Sequence, residues 1–177
     1  DAGLRYVILN LAGSALFLIA ASLLYGLTGT LNMADMARHI ASLGASEGQW
    51  LRSAGLLLFV VFALKAALLP LNAWLRGTYG AASGPVAALF AIMTKVGVYA
   101  IIRVYTLIFG PDADAVSGLL QPWLAPLALA TLLGGAMLAL AAQTLRALAG
   151  GLVIGSVGLL LFGFGVATPV ALAALLY

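Results

Sequence analysis

Two lysines, Lys65 and Lys95, each interrupt a long apolar run, and thirty positions separate them. Lys65 lies within the run from Leu56 to Leu69, and Lys95 within the run from Val86 to Tyr99. A cation at the bilayer midplane costs roughly 2.5 kcal/mol even on insertion scales, so such an amine faces a polar interior and marks a path for ions. A buried lysine also changes protonation readily, which suits it to carry a proton. Every acid in the chain (Asp1, Asp35, Glu47, Asp112, Asp114) lies outside the apolar spans. Neither lysine therefore has a carboxylate partner within a span of this chain, and a relay between the two is the chemistry their placement suggests.

Other residues could support such a path. Pro70, five positions after Lys65, has no N–H and leaves the carbonyl of Ala66 without its helical donor, so a broken helix is expected there. A freed carbonyl at membrane depth must find protein or water, which is how transporters build polar cavities in lipid. The bland alternative is a mere kink with Lys65 snorkelling to an interface, against which its depth argues. Thr94 precedes Lys95, and Tyr99 and Arg103 follow it by four and eight positions, a ladder of proton-capable groups along one face. Equally, Arg103 could snorkel and Tyr99 pack at an interface. In the first span Tyr6, Asn10, Ser14, Phe17, Ala21 and Tyr25 form a polar-aromatic stripe. Asn10 and Ser14 could line a wet path, or serve as ordinary interhelical glue. Gly151, Gly155 and Gly158 form a small-residue face, read as close helix packing.

The elements that must position these groups follow from composition. With 64% hydrophobic and 7% charged residues, and a mean hydropathy of +1.17, the chain lies far from soluble domains, where about 25% of residues are charged. An all-α polytopic bundle is expected. Five stretches reach the roughly 20 apolar residues a span needs: Leu4 to Leu27, Trp50 to Trp74, Pro85 to Phe109, Trp123 to Ala142 and Leu145 to Gly165. The second, continued to about Thr78, is long enough for two half-helices. Thr28 to Gln49 is a polar link in which apolar residues at 33, 36, 37 and 40 predict a short interfacial helix. A tight basic turn is expected around Arg146, and an acidic turn at Asp112 and Asp114.

Arg5, Arg76 and Arg146 place three ends on the cytoplasmic side, and the Asp112/Asp114 turn outside. Thr168-Pro169 has the form of a helix start, so a sixth helix is expected to begin after it. The chain is accordingly expected to be an internal piece, residues 1–177, of one transmembrane transporter domain, with no separate soluble domain.

Several classes are excluded or disfavoured. Zero cysteines rule out thiolate-held clusters within these residues, and the single histidine, His39, builds no metal or haem site alone. The net charge of +3 is spread singly, without the basic stripe that nucleic acid requires. No constellation of nucleophile, base and metal points to an enzyme. No cofactor is expected, and no signal peptide is evident.

The segments Leu64-Lys65-Ala66-Ala67-Leu68-Leu69-Pro70-Leu71-Asn72-Ala73-Trp74-Leu75 and Thr94-Lys95-Val96-Gly97-Val98-Tyr99-Ala100-Ile101-Ile102-Arg103 resemble the broken lysine helix and the helix after it in a known superfamily. These are the antiporter-like membrane subunits of respiratory complex I, membrane-bound hydrogenases and Mrp-type monovalent cation/proton antiporters. Tyr6 to Leu18, Tyr25 to Ala34 and Arg76-Gly77-Thr78-Tyr79 are most similar to the branch formed by the D-type subunits of Mrp antiporters. Many relatives carry an acid and a lysine before the tenth span, where this chain has Gln143-Thr144-Leu145-Arg146, which disfavours the complex I branch.

The resemblance implies spans six to ten and the start of eleven of a subunit built from two inverted repeats. It implies that Lys65 exchanges charge with a glutamate lying before Asp1, and that Lys95 is the central lysine of a lateral proton path whose next ionisable group lies after Tyr177. It further implies a multi-pass bacterial inner-membrane protein exchanging protons for a monovalent cation, sodium by preference, in a hetero-oligomeric complex. A redox-driven pump subunit and a non-translocating scaffold, whose lysines pair with acids on other chains, remain open as alternatives.

Overall fold

The structure, a computed structural model, describes residues 2–110, 113, 116, 118–166, 168, 170, 171 and 173, without the side chains of 2, 45, 46, 80 and 81. Among them are seven helices: α1 (Ala2–Thr28), α2 (Met33–Ala41), α3 (Ala45–Ala66), α4 (Ala73–Ala81), α5 (Gly84–Leu107), α6 (Gln121–Leu140) and α7 (Leu145–Val166). Five of them, α1, α3, α5, α6 and α7, are long and apolar enough to cross a membrane. The fold is an all-α polytopic bundle. The Asp112/Asp114 turn lies outside the described residues, as does most of the helix expected after Thr168. Thr168 Oγ1 does accept the Ala171 N–H at 3.2 Å, as a helix cap would.

Local chemistry sets the ends of the helices. Asn32 Oδ1 accepts the N–H groups of Ala34 and Asp35 at 3.1 and 3.4 Å and starts α2, whose Met36 and Ile40 are buried. Glu47 Oε2 accepts the Gly44 N–H at 3.1 Å at the head of α3. Thr144 Oγ1 accepts the Ala147 N–H at 3.2 Å and caps α7. The turn expected around Arg146 therefore falls earlier, at residues 141–144, and Arg146 stands in the first turn of α7.

The second span differs from its expected extent in an instructive way. It begins at Ala45 rather than Trp50 and ends at Ala66, four residues before Pro70, instead of continuing to Trp74. Pro70 would clash with the carbonyl four residues back, and the residue before a proline avoids helical geometry. The chain therefore leaves the helix upstream, through Ala67 in the left-handed region (φ 59°), and resumes at Ala73. A residue other than glycine in that region is uncommon and costs about 1–3 kcal/mol, sustained where the surroundings over-determine it.

Packing arranges these helices around α3 and α5. α3 packs against α1 and α5, α4 touches α1, α5 and α7, and α6 pairs with α7 along its length. The α6–α7 pair meets backbone to backbone. A Cβ added at Gly158 would lie 2.3 Å from the Leu132 nitrogen, one at Gly135 2.3 Å from the Gly155 nitrogen, and one at Gly151 2.6 Å from the Ala139 nitrogen. Such close approach is how helices associate in lipid, where apolar burial supplies no drive.

Candidate functional site

Lys65 stands in the last turn of α3, at the C-terminal end of a helix long and apolar enough to span a membrane. Helix dipoles present negative potential at that end, which favours a cation there. Its ammonium donates to Asn10 Oδ1 on α1. Tyr6, Leu9, Asn10, Leu64, Lys65 and Trp74 line a cavity of about 10 Å³ around it, roughly the room one water needs. Tyr6, Trp74 and Phe90, from three helices, close on one another with ring centroids 5.2 to 6.1 Å apart.

Several backbone groups at the break beside Lys65 find partners within the protein. Leu68 N–H donates to the Ala63 carbonyl at 2.9 Å, and the Trp74 indole donates to the Leu64 carbonyl at 2.8 Å. On the other side of the break, the Leu69 N–H donates to Thr131 Oγ1 of α6 at 3.0 Å, while that hydroxyl donates to the Leu127 carbonyl at 2.7 Å. Thr131 is fully buried. Open backbone groups at membrane depth cost several kcal/mol each, so these two neutral side chains help to sustain the interruption.

Lys95 occupies the middle of α5 and turns to α7, where its ammonium donates to Ser156 Oγ and lies 3.5 Å from the Val153 carbonyl oxygen. The two lysine-bearing helices touch between these points: a Cβ at Gly97 would lie 2.6 Å from the Ala66 nitrogen. Lys65 thus addresses α1, and Lys95 addresses α7, across one close helix seam. Neither amine has a carboxylate within ion-pair distance among the described residues.

The structure brings Asn10 to Lys65 and does not bring the other supporting residues to either lysine. Thr94 is fully buried and donates to the Ala91 carbonyl of its own helix at 2.8 Å. Tyr99 is 60% exposed and Arg103 exposed, both turned away from the described bundle. Ser14 is exposed and donates to the Asn10 carbonyl at 2.9 Å. Sequence reasoning passed over Ser156 and Thr131. The signal for Ser156 was its standing as the one hydroxyl in α7.

The class defined by this fold is a polytopic membrane bundle with one lysine at the broken end of a span and another in the middle of the next. The chain belongs to the NADH:quinone oxidoreductase/Mrp antiporter transmembrane family, whose pattern matches residues 1–177. It is 45% identical over 176 residues to the D subunit of a probable K(+)/H(+) antiporter from Rhizobium meliloti (strain 1021), covering 99% of this chain and 33% of that one. It is 41% identical over 175 residues to the D subunit of the Na(+)/H(+) antiporter from Bacillus subtilis (strain 168), covering 98% and 34%. In solved structures it resembles a chain of the membrane-bound sulfane sulfur reductase, an archaeal respiratory complex (TM-score 0.85, 30% identity, covering 99% and 35%). It also resembles a chain of the Mrp complex from Dietzia sp. DQ12-45-1b (TM-score 0.81, 31% identity, covering 98% and 31%). The chain spans about a third of the length of the relatives it matches. It is a multi-pass membrane protein.

Proposed function

We propose that this chain is the lysine-bearing part of a subunit of a monovalent cation/proton antiporter in a bacterial inner membrane, working with other membrane subunits, and that Lys65 and Lys95 carry its protons. The observation that carries this reading is the pairing of each amine with a neutral group from another helix, Asn10 for Lys65 and Ser156 for Lys95. Among the described residues no carboxylate is set against either amine to bias it toward the charged form. A carboxamide or hydroxyl can accept from an ammonium and, once turned, donate to a neutral amine, so both states have a partner. The cavity at Lys65 supplies room for the water that a proton would hop through.

Antiporter relatives at 45% and 41% identity support exchange of a monovalent cation for protons, one named for potassium and one for sodium. Sodium is the cation we propose. The family also includes quinone-linked complexes, and a redox-driven pump is the second reading. The deciding experiment is Lys95→Ala in the full-length subunit within its complex, assayed in everted vesicles for proton movement on adding sodium or potassium. Flux is expected to vanish while the complex assembles normally. Full flux in this variant refutes the relay, and flux that follows an electron donor rather than either cation selects the second reading.

A further inference from the structure

We propose that Ser156 is the positioning residue of Lys95, held in place by the α6–α7 hairpin; this rests on reading Lys95 as a proton carrier. Ser156 Oγ donates to the Val153 carbonyl at 2.7 Å. With its proton committed there, the oxygen offers lone pairs to Lys95, and the Val153 carbonyl oxygen offers a second acceptor 3.5 Å from the same nitrogen. Acceptors alone suit an ammonium, which has three donors and no lone pair. When Lys95 is neutral, the hydroxyl can release Val153 and donate to the amine, so the side chain keeps one address in both states.

A helix serine bonded back to its own backbone is ordinary, and Ser14, Ser53 and Thr106 do the same from exposed positions. Ser156 differs because a charged side chain from another helix is its second partner. Thr131, on the other arm of the same hairpin, likewise reaches across, to the Leu69 N–H at the break beside Lys65. The backbone contacts at Gly135, Gly151 and Gly158 leave the two arms no room to slide. One fixed bracket therefore sets Lys95 through Ser156 and the Lys65 break through Thr131.

The test uses the full-length subunit in its assembled complex, with Ser156→Ala, Ser156→Gly and Ser156→Thr compared at equal amounts of complex. Ser156→Ala and Ser156→Gly are expected to slow cation-driven proton flux by about tenfold, the loss of one hydrogen bond to a charged group. Ser156→Thr, which restores the hydroxyl, should keep most of the rate. A second readout does not depend on transport: the ¹⁵N resonance of the Lys95 amine, assigned by its absence in Lys95→Arg, should move in Ser156→Ala and stay in Ser156→Thr. An unmoved resonance in Ser156→Ala, or a threonine variant as slow as alanine, overturns the assignment. A moved resonance with normal flux in Lys95→Ala leaves the positioning standing and sinks the relay reading instead.

Discussion

The Gly97 contact permits a sharp test of how closely the two lysine helices must meet. In Gly97→Ala the new methyl would lie 2.6 Å from the Ala66 nitrogen and 2.9 Å from its Cα, where ordinary contact begins at 3.4 Å. The obstacles are backbone atoms at the end of α3, next to the strained Ala67, and cannot swing aside as a side chain would. Relief requires α3 and α5 to separate by at least 0.8 Å at this point, the difference between 3.4 and 2.6 Å. Overpacking of this kind costs about 1–3 kcal/mol. A misplacement of about 1 Å in a working site can cost on the order of 10²-fold in rate. Because Lys65 precedes Ala66 directly and Lys95 lies two residues before Gly97, the separation moves both amines relative to Asn10 and Ser156. Proton flux should therefore fall by about ten- to a hundredfold, with assembly reduced less. The assay is initial flux in vesicles, normalised to assembled complex. Gly26→Ala, which meets nothing within 4 Å, is the control and should transport normally. Wild-type flux in Gly97→Ala would mean that the contact has no bearing on the lysines.

Two further outcomes follow from the same geometry. Thr131→Val keeps the shape of the side chain but leaves the Leu69 N–H without its acceptor, so stability should drop by about 1–3 kcal/mol, read as a lower unfolding temperature of the purified complex; Thr131→Ser should recover most of it, and equal losses in both would point to packing. Asn10→Asp sets a carboxylate on the Lys65 ammonium and should hold it charged, slowing flux by about tenfold or more, whereas unchanged flux would show that Lys65 need not change charge.

Much of this arrangement was readable beforehand, for physical reasons that also explain what was missed. A lysine in an apolar run is costly wherever it stands, so Lys65 and Lys95 announced themselves without any knowledge of their neighbours. Pro70 likewise disfavours a continuous helix, although Pro126 is carried inside α6 without a break. The point of departure did not announce itself, because Ala67 has no intrinsic preference for left-handed geometry and adopts it only under tertiary constraint. The ladder from Lys95 through Tyr99 to Arg103 does not run along the face that meets α7, for a geometric reason. Each four-residue step overshoots a helical turn by about 40°, so by Arg103 the face has rotated away from the one that meets α7. Thr131 was silent, and Ser156 gave only a faint signal, because a hydroxyl can satisfy itself on its own helix. Only the fold shows which hydroxyls have a second partner.

The way Trp74 and Thr131 close the gap between α3 and α4 separates architecture from electricity. Uncharged groups cap the severed backbone, so the amine beside it is spared that task and reaches Asn10 on α1 instead. Its charge can come and go without loosening the joint, and the joint can be inherited intact by a descendant that has replaced the lysine altogether.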